Sequence, residues 1–163
     1  SSTLAELLTA LPMLRSRLLG LLAGRDIGEE VELLRTLDTT TWAAEERVAL
    51  DLLLLDNGVA ITRKQQQQLL TTLFSNAIPS AIQDTLAERA LLHANLFAEE
   101  VRIINFAAPG YFDWLMKAPE SAAYGPLLAY ALDTNFPPAR RGKAAMRLIR
   151  AWGERATDDL LPD

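Results

Sequence analysis

One histidine and no cysteine leave this chain few ways to do chemistry. Without cysteine there is no thiol nucleophile, no disulfide and no thiolate metal site. A lone histidine, His93, removes two-histidine zinc sets such as HExxH. The Glu-x-x-His pattern of a di-iron bundle fails because Ala90 stands three positions before it. A general-base role would need a carboxylate to orient the ring. On a helix through His93 the nearest same-face carboxylate is Glu100, two turns and about 10 Å along the axis. His93 is therefore expected to be a core or half-buried histidine satisfied by a neighbour.

The carboxylate pairs Glu29/Glu30, Glu45/Glu46 and Glu99/Glu100 resemble acid/base pairs only on paper, because sequence neighbours on a helix point about 100° apart. They read as solvated faces and, for Glu29 and Glu30, as charge suited to a helix start. Gly20, Gly24 and Gly28 follow no strand and precede no Lys-Ser or Lys-Thr, so they make no phosphate loop. No catalytic residue, metal or cofactor is expected, and the chain reads as non-enzymatic.

Recognition chemistry is better represented. Residues 139–155 hold six basic side chains and one acidic, whereas residues 1–138 hold 17 acidic and 10 basic. Arg140, Lys143, Arg147 and Arg150 recur at steps of three and four, which places them on one side of a helix. Ala145, Leu148, Ile149, Trp152 and Ala156 are expected on the other, facing a core. A second candidate surface is Tyr111, Phe112 and Trp114, which follow a Pro-Gly turn within the aromatic-rich stretch 106–136. These seven residues, four basic and three aromatic, form the expected partner-binding set. Their expected partner is another protein offering an acidic segment.

Composition bounds these readings. The chain has 163 residues and a net charge of −5, and half its residues are hydrophobic. That size and balance suit one soluble domain, residues 1–163. An acidic body argues against general nucleic-acid binding, whose affinity comes from neutralising phosphates. No apolar run approaches the ~20 residues of a membrane-spanning helix. Leu18 to Ala23, although preceded by Arg15 and Arg17, reads as helix and not as a secretory signal. The absence of cysteine favours the cytoplasm. The Ser-Ser-Thr start fits processing or a piece of a longer chain.

Helix signals run throughout. Thr3/Glu6, Asp26/Glu29, Thr62/Gln65 and Ser80/Gln83 have the spacing of reciprocal capping boxes. Gly24, Asn57-Gly58 and Pro109-Gly110 mark helix ends. The pattern predicts helices near 3–23 with a break at Pro12, then 27–37, 42–56, 63–76, 80–107, 111–117, 120–133 and 138–156. Segment 48–55, apolar nearly all round except Asp51, is expected at the centre of the first half. In 80–107, Ile82, Leu86, Ala90, His93, Phe97, Val101 and Ile104 form an apolar stripe, with Asp84, Glu88, Asn95, Glu99 and Arg102 on the wet side. The expected fold is all-α, an irregular bundle or short helical stack of seven or eight helices.

The expected function is a protein–protein interaction module: an adaptor, chaperone or scaffold subunit. Two alternatives stand beside it. One is an immunity-type inhibitor that caps a basic partner with Glu29, Glu30, Glu32, Glu45 and Glu46. The other is a regulatory nucleic-acid binder using the C-terminal basic helix. Self-association is compatible with all three.

Overall fold

Every regular element among the described residues is helical. The computed structural model describes residues 2–98, 103 and 106–161. Among them are nine α-helices: α1 (Leu4–Ala10), α2 (Arg15–Leu22), α3 (Val31–Arg35), α4 (Ala44–Asp56), α5 (Arg63–Leu73), α6 (Ser80–Leu91), α7 (Pro109–Leu115), α8 (Glu120–Leu132) and α9 (Pro138–Leu160). Single 3-10 turns occur at Pro12–Leu14, Gly28–Glu30 and Ala94–Leu96. The chain gathers into two compact units, 1–90 and 91–163. No helix among the described residues is long and apolar enough to cross a membrane.

Local chemistry explains most boundaries. Thr62 and Gln65 form the full reciprocal box, with Gln65 N donating to Thr62 Oγ1 at 3.2 Å and Thr62 N donating to Gln65 Oε1 at 2.8 Å. Thr3 Oγ1 accepts from Glu6 N at 3.1 Å. Asp26 instead accepts from Gly28 N, a tight turn that takes the place of the expected box. At α6 the helix begins one residue early, with Pro79 O accepting from Gln83 N, and the Gln83 amide donates to Leu73 O at the end of α5. Gly58, at φ 81°, follows α4, and Val59 N reaches back to Leu54 O. That left-handed stop needs a residue without Cβ.

The long helix expected over 80–107 is not formed. Helix α6 ends at Leu91, His93 lies half-buried in the following turn, and Ala94–Leu96 makes a separate 3-10 turn. The apolar spacing persists across that break, with Leu86, Ala90 and Phe97 all buried, so periodicity alone ran two elements together. Val101, Ile104, Glu99, Glu100 and Arg102 lie outside the described residues. Pro109-Gly110 also reverses its expected part. Pro109 opens α7, a position where its missing N–H costs nothing.

In unit 1 the core is leucine around one tryptophan. Leu8 of α1, Leu19 of α2, Leu34 of α3 and Leu50 and Leu53 of α4 close around Trp42. Helix α4 packs against α2, α3 and α5, as expected of the central segment. Its Glu46 is not solvated; it is 8 % exposed and ion-paired with Arg15 at 3.5 Å.

Asp51 is the half-buried charge on the other side of α4. Burial pushes its carboxyl up to about 6 against the opposing pull of Arg47 one turn earlier. The folded state therefore holds this proton more tightly than the unfolded chain, whose value is 3.8. The group's contribution to stability is full below pH ~4 and falls as pH rises towards ~6. Asp51→Asn should remove that fall and raise stability at pH 8 by roughly 1–3 kcal/mol. Urea titrations of both proteins at pH 4 and pH 8 check this, the gain appearing only at the higher pH.

In unit 2, α8 packs against α7 and α9. Small residues line the close pair: Ala122, Ala123 and Ala131 on α8 and Ala144 and Ala156 on α9 are buried. Pro126 sits inside α8, yet the helix runs through it to Leu132. Helix α9 is bent at Gly153, whose φ 50° and ψ −119° suit only glycine.

Candidate functional site: the basic face of α9

Helix α9 starts at Pro138 and turns its basic residues out by period. Leu148 and Ala144 are fully buried, while Ile149, one step of about 100° further round, is 44 % exposed. That corrects the expectation that Ile149 faces the core. Trp152 is half-buried and meets Tyr124 edge-on, with ring centroids 5.5 Å apart.

The arginines divide into structural and free. Arg140 donates to Ala107 O at 3.3 Å, and its guanidinium lies 5.3 Å from the Phe112 ring and 5.8 Å from that of Phe136. Arg141 Nε donates to Ala131 O at 3.1 Å, a carbonyl in the last turn of α8 that has no partner within its own helix. Arg147 Nη2 donates to Ala118 O at 3.3 Å while its guanidinium sits 5.1 Å from the Trp152 ring. Arg155 is paired with Glu120 and lies 3.7 Å from the Tyr124 ring. Burial, a hydrogen bond to Asp159 and that carboxylate's charge push Tyr124 up to about 12, so its hydroxyl stays a donor at neutral pH. Backbone carbonyls and ring faces, with Glu120 for Arg155, thus answer most of this charge from within unit 2.

What remains is a groove of about 480 Å³ lined by Met116, Gly142, Lys143, Met146, Arg147 and Arg150. Lys143 and Arg150 are exposed, and Met146 between them is 48 % exposed. Arg147 Nε is buried there without an acceptor among the described residues. Of the expected basic set, Lys143, Arg147 and Arg150 converge on this groove, and Arg140 does not line it.

The aromatic half of the expected set lies elsewhere. Tyr111, Phe112 and Trp114 are 1 %, 6 % and 4 % exposed, and they form the core of unit 2. Phe112 meets Tyr130 edge-on at 5.0 Å, and Trp114 meets Phe97 at 6.0 Å. With Pro109 beginning a helix in place of a turn, their faces go inward, and these rings present no surface to a partner. Met116 and Met146 were missed. Met146 was legible, standing between Lys143 and Arg150 on the same helical face; Met116 arrives from the end of α7 and has no such signal.

Among the described residues no three His, Asp or Glu side chains gather closely enough to hold a metal ion. Compared with models of known protein families, with curated proteins and with solved structures, neither the sequence nor its fold finds a match.

Proposed function

We propose that the protein is a non-enzymatic protein-interaction module of the cytoplasm, an adaptor or scaffold subunit that docks an acidic amphipathic segment on α9. The observation that carries this reading is the groove in which Met116 and Met146 lie among Lys143, Arg147 and Arg150. Methionine supplies a polarisable apolar surface that adapts to its partner. The cations around it favour carboxylates and suppress basic competitors. A helix with Leu on one face and Glu beside it meets both demands.

The inhibitor alternative needs free carboxylates, and several are engaged within unit 1. Glu46 pairs with Arg15, Glu30 accepts from Leu4 N at 2.6 Å, and Glu32 pairs with Arg35 at 3.1 Å. A nucleic-acid reading needs several free cations aligned for phosphates, and on α9 only Lys143 and Arg150 are both exposed and lining the groove.

Titrating a fluorescent helical peptide of alternating Leu and Glu faces tests the proposal. Binding should weaken tenfold or more in the Lys143→Glu/Arg150→Glu variant, since two reversed contacts cost roughly 0.7 kcal/mol each or more. A peptide with Lys in place of Glu should not bind. Equal binding of both peptides, or an unaffected variant, would overturn the reading.

A further inference from the structure

Unit 1 contains a cleft of about 650 Å³ between α3, α4 and α5, a volume within the usual range of small-molecule sites. Leu34, Leu37, Leu54, Ile61 and Leu69 supply apolar wall. Gln65, Gln68 and Thr72 of α5 bring uncharged hydrogen-bonding groups to the lining. Three charged residues reach it: Arg35, Arg47 and Asp51. Their situations differ. Arg35 is exposed and already paired with Glu32 at 3.1 Å, and Arg47 is exposed to water. Asp51 alone is withdrawn from water, and its carboxylate has no hydrogen-bond partner among the described residues.

A carboxylate in that position has lost hydration without gaining a donor, which costs free energy that a ligand can return. We propose that this cleft binds a small organic ammonium ion, a protonated amine on an apolar body, with the ammonium held by the Asp51 carboxylate and the body against the leucine wall. An ammonium group offers three donors and a full positive charge to the one carboxylate that lines the cleft. A carboxylate ligand would find only Arg35 and Arg47, both already satisfied by solvent or by Glu32, and would approach Asp51 against like charge. The charged groups facing Asp51 are Arg47 from its own helix and Arg35 from α3; α5 lines the cleft with uncharged residues only. Neither arginine loses its charge in the working range, so binding should strengthen as Asp51 ionises and reach its plateau above pH ~7.

Three probes of one body decide the matter: n-hexylammonium, 1-hexanol and hexanoate, titrated calorimetrically into the whole chain at pH 7.5. Hexylammonium should bind at least tenfold more tightly than hexanol, and hexanoate more weakly than either. Asp51→Asn should bring hexylammonium down to the level of hexanol while leaving hexanol unchanged, and Asp51→Glu should keep part of the preference. Ala60→Trp, which places a large ring against the lining, should weaken all three. Equal affinity for hexylammonium and hexanol, tighter binding of hexanoate, or an Asp51→Asn variant that keeps the ammonium preference would each overturn the proposal. The comparison of probes on the native chain holds even if a variant folds poorly.

Discussion

Replacing Arg15 with methionine should destabilise unit 1 by about 3–5 kcal/mol, read as a lower urea midpoint at an unchanged slope. Arg15 is 7 % exposed, and each face of its guanidinium group has a use. Its Nε donates to Leu8 O at 2.8 Å, its Nη1 stands 3.5 Å from Glu46 Oε1, and its plane lies 4.4 Å from the Trp42 ring. Glu46 in turn accepts from Ala43 N at 2.9 Å, which supplies half a capping box to α4, and from Ser16 Oγ at 3.3 Å. Methionine preserves the stem and its packing but leaves a buried carboxylate without a counter-charge. Adding Glu46→Leu should therefore restore most of the loss and leave a deficit of about 1–2 kcal/mol, the worth of the lost cap and of the Leu8 contact. If the double variant is no more stable than the single one, the pair is not energetically coupled and this account of it fails.

Tyr130 is the corresponding keystone of unit 2. Fully buried, it stacks on Phe106 with centroids 4.1 Å apart, meets Phe112 and Phe136, and donates its hydroxyl hydrogen to Phe106 O. Tyr130→Ala should cost about 3–5 kcal/mol through lost burial and the cavity left among three rings. Tyr130→Phe should cost only about 0.5–1.5 kcal/mol, since it removes the hydrogen bond and keeps the ring, leaving the Phe106 carbonyl to find another donor. Burial pushes Tyr130 up to about 12, so neither effect should vary between pH 6 and pH 9. Thermal melts across that range test both, and a Tyr130→Phe loss as large as the Tyr130→Ala loss would move the weight from packing to the hydroxyl.

Helix type was legible because it is written locally. The Thr62/Gln65 box, the Asn57-Gly58 stop and Pro138 at the head of α9 act within a few residues of themselves and look the same in a sequence as in a structure. The central role of α4 was legible too, since a helix apolar nearly all round has nowhere to go but inside. What escaped was set by distant partners. The end of α6 at Leu91 carries no glycine or proline, so nothing in 80–107 announced the break. Glu45 and Glu46 look alike in sequence, yet Glu46 meets Arg15 from another helix. Tyr111, Phe112 and Trp114 carried an apolar signal that suits a core and a binding surface equally, and only the start of α7 at Pro109 turns them inward. On α9 the basic spacing was correct in register but silent on use, because a carbonyl of Ala107, Ala118 or Ala131 cannot be seen from the arginine that binds it.

The bonds from Arg140, Arg141 and Arg147 to those carbonyls have a practical consequence. A guanidinium on a peptide dipole, partly shielded from solvent at Arg141 and Arg147, feels added electrolyte far less than two charges facing each other through water do. The mooring of α9 should therefore hold from 0.05 M to 1 M sodium chloride, a range over which any grip exerted through Lys143 and Arg150 dissolves. Under the proposed docking, ionic strength becomes a dial that releases the segment without loosening the helix beneath it.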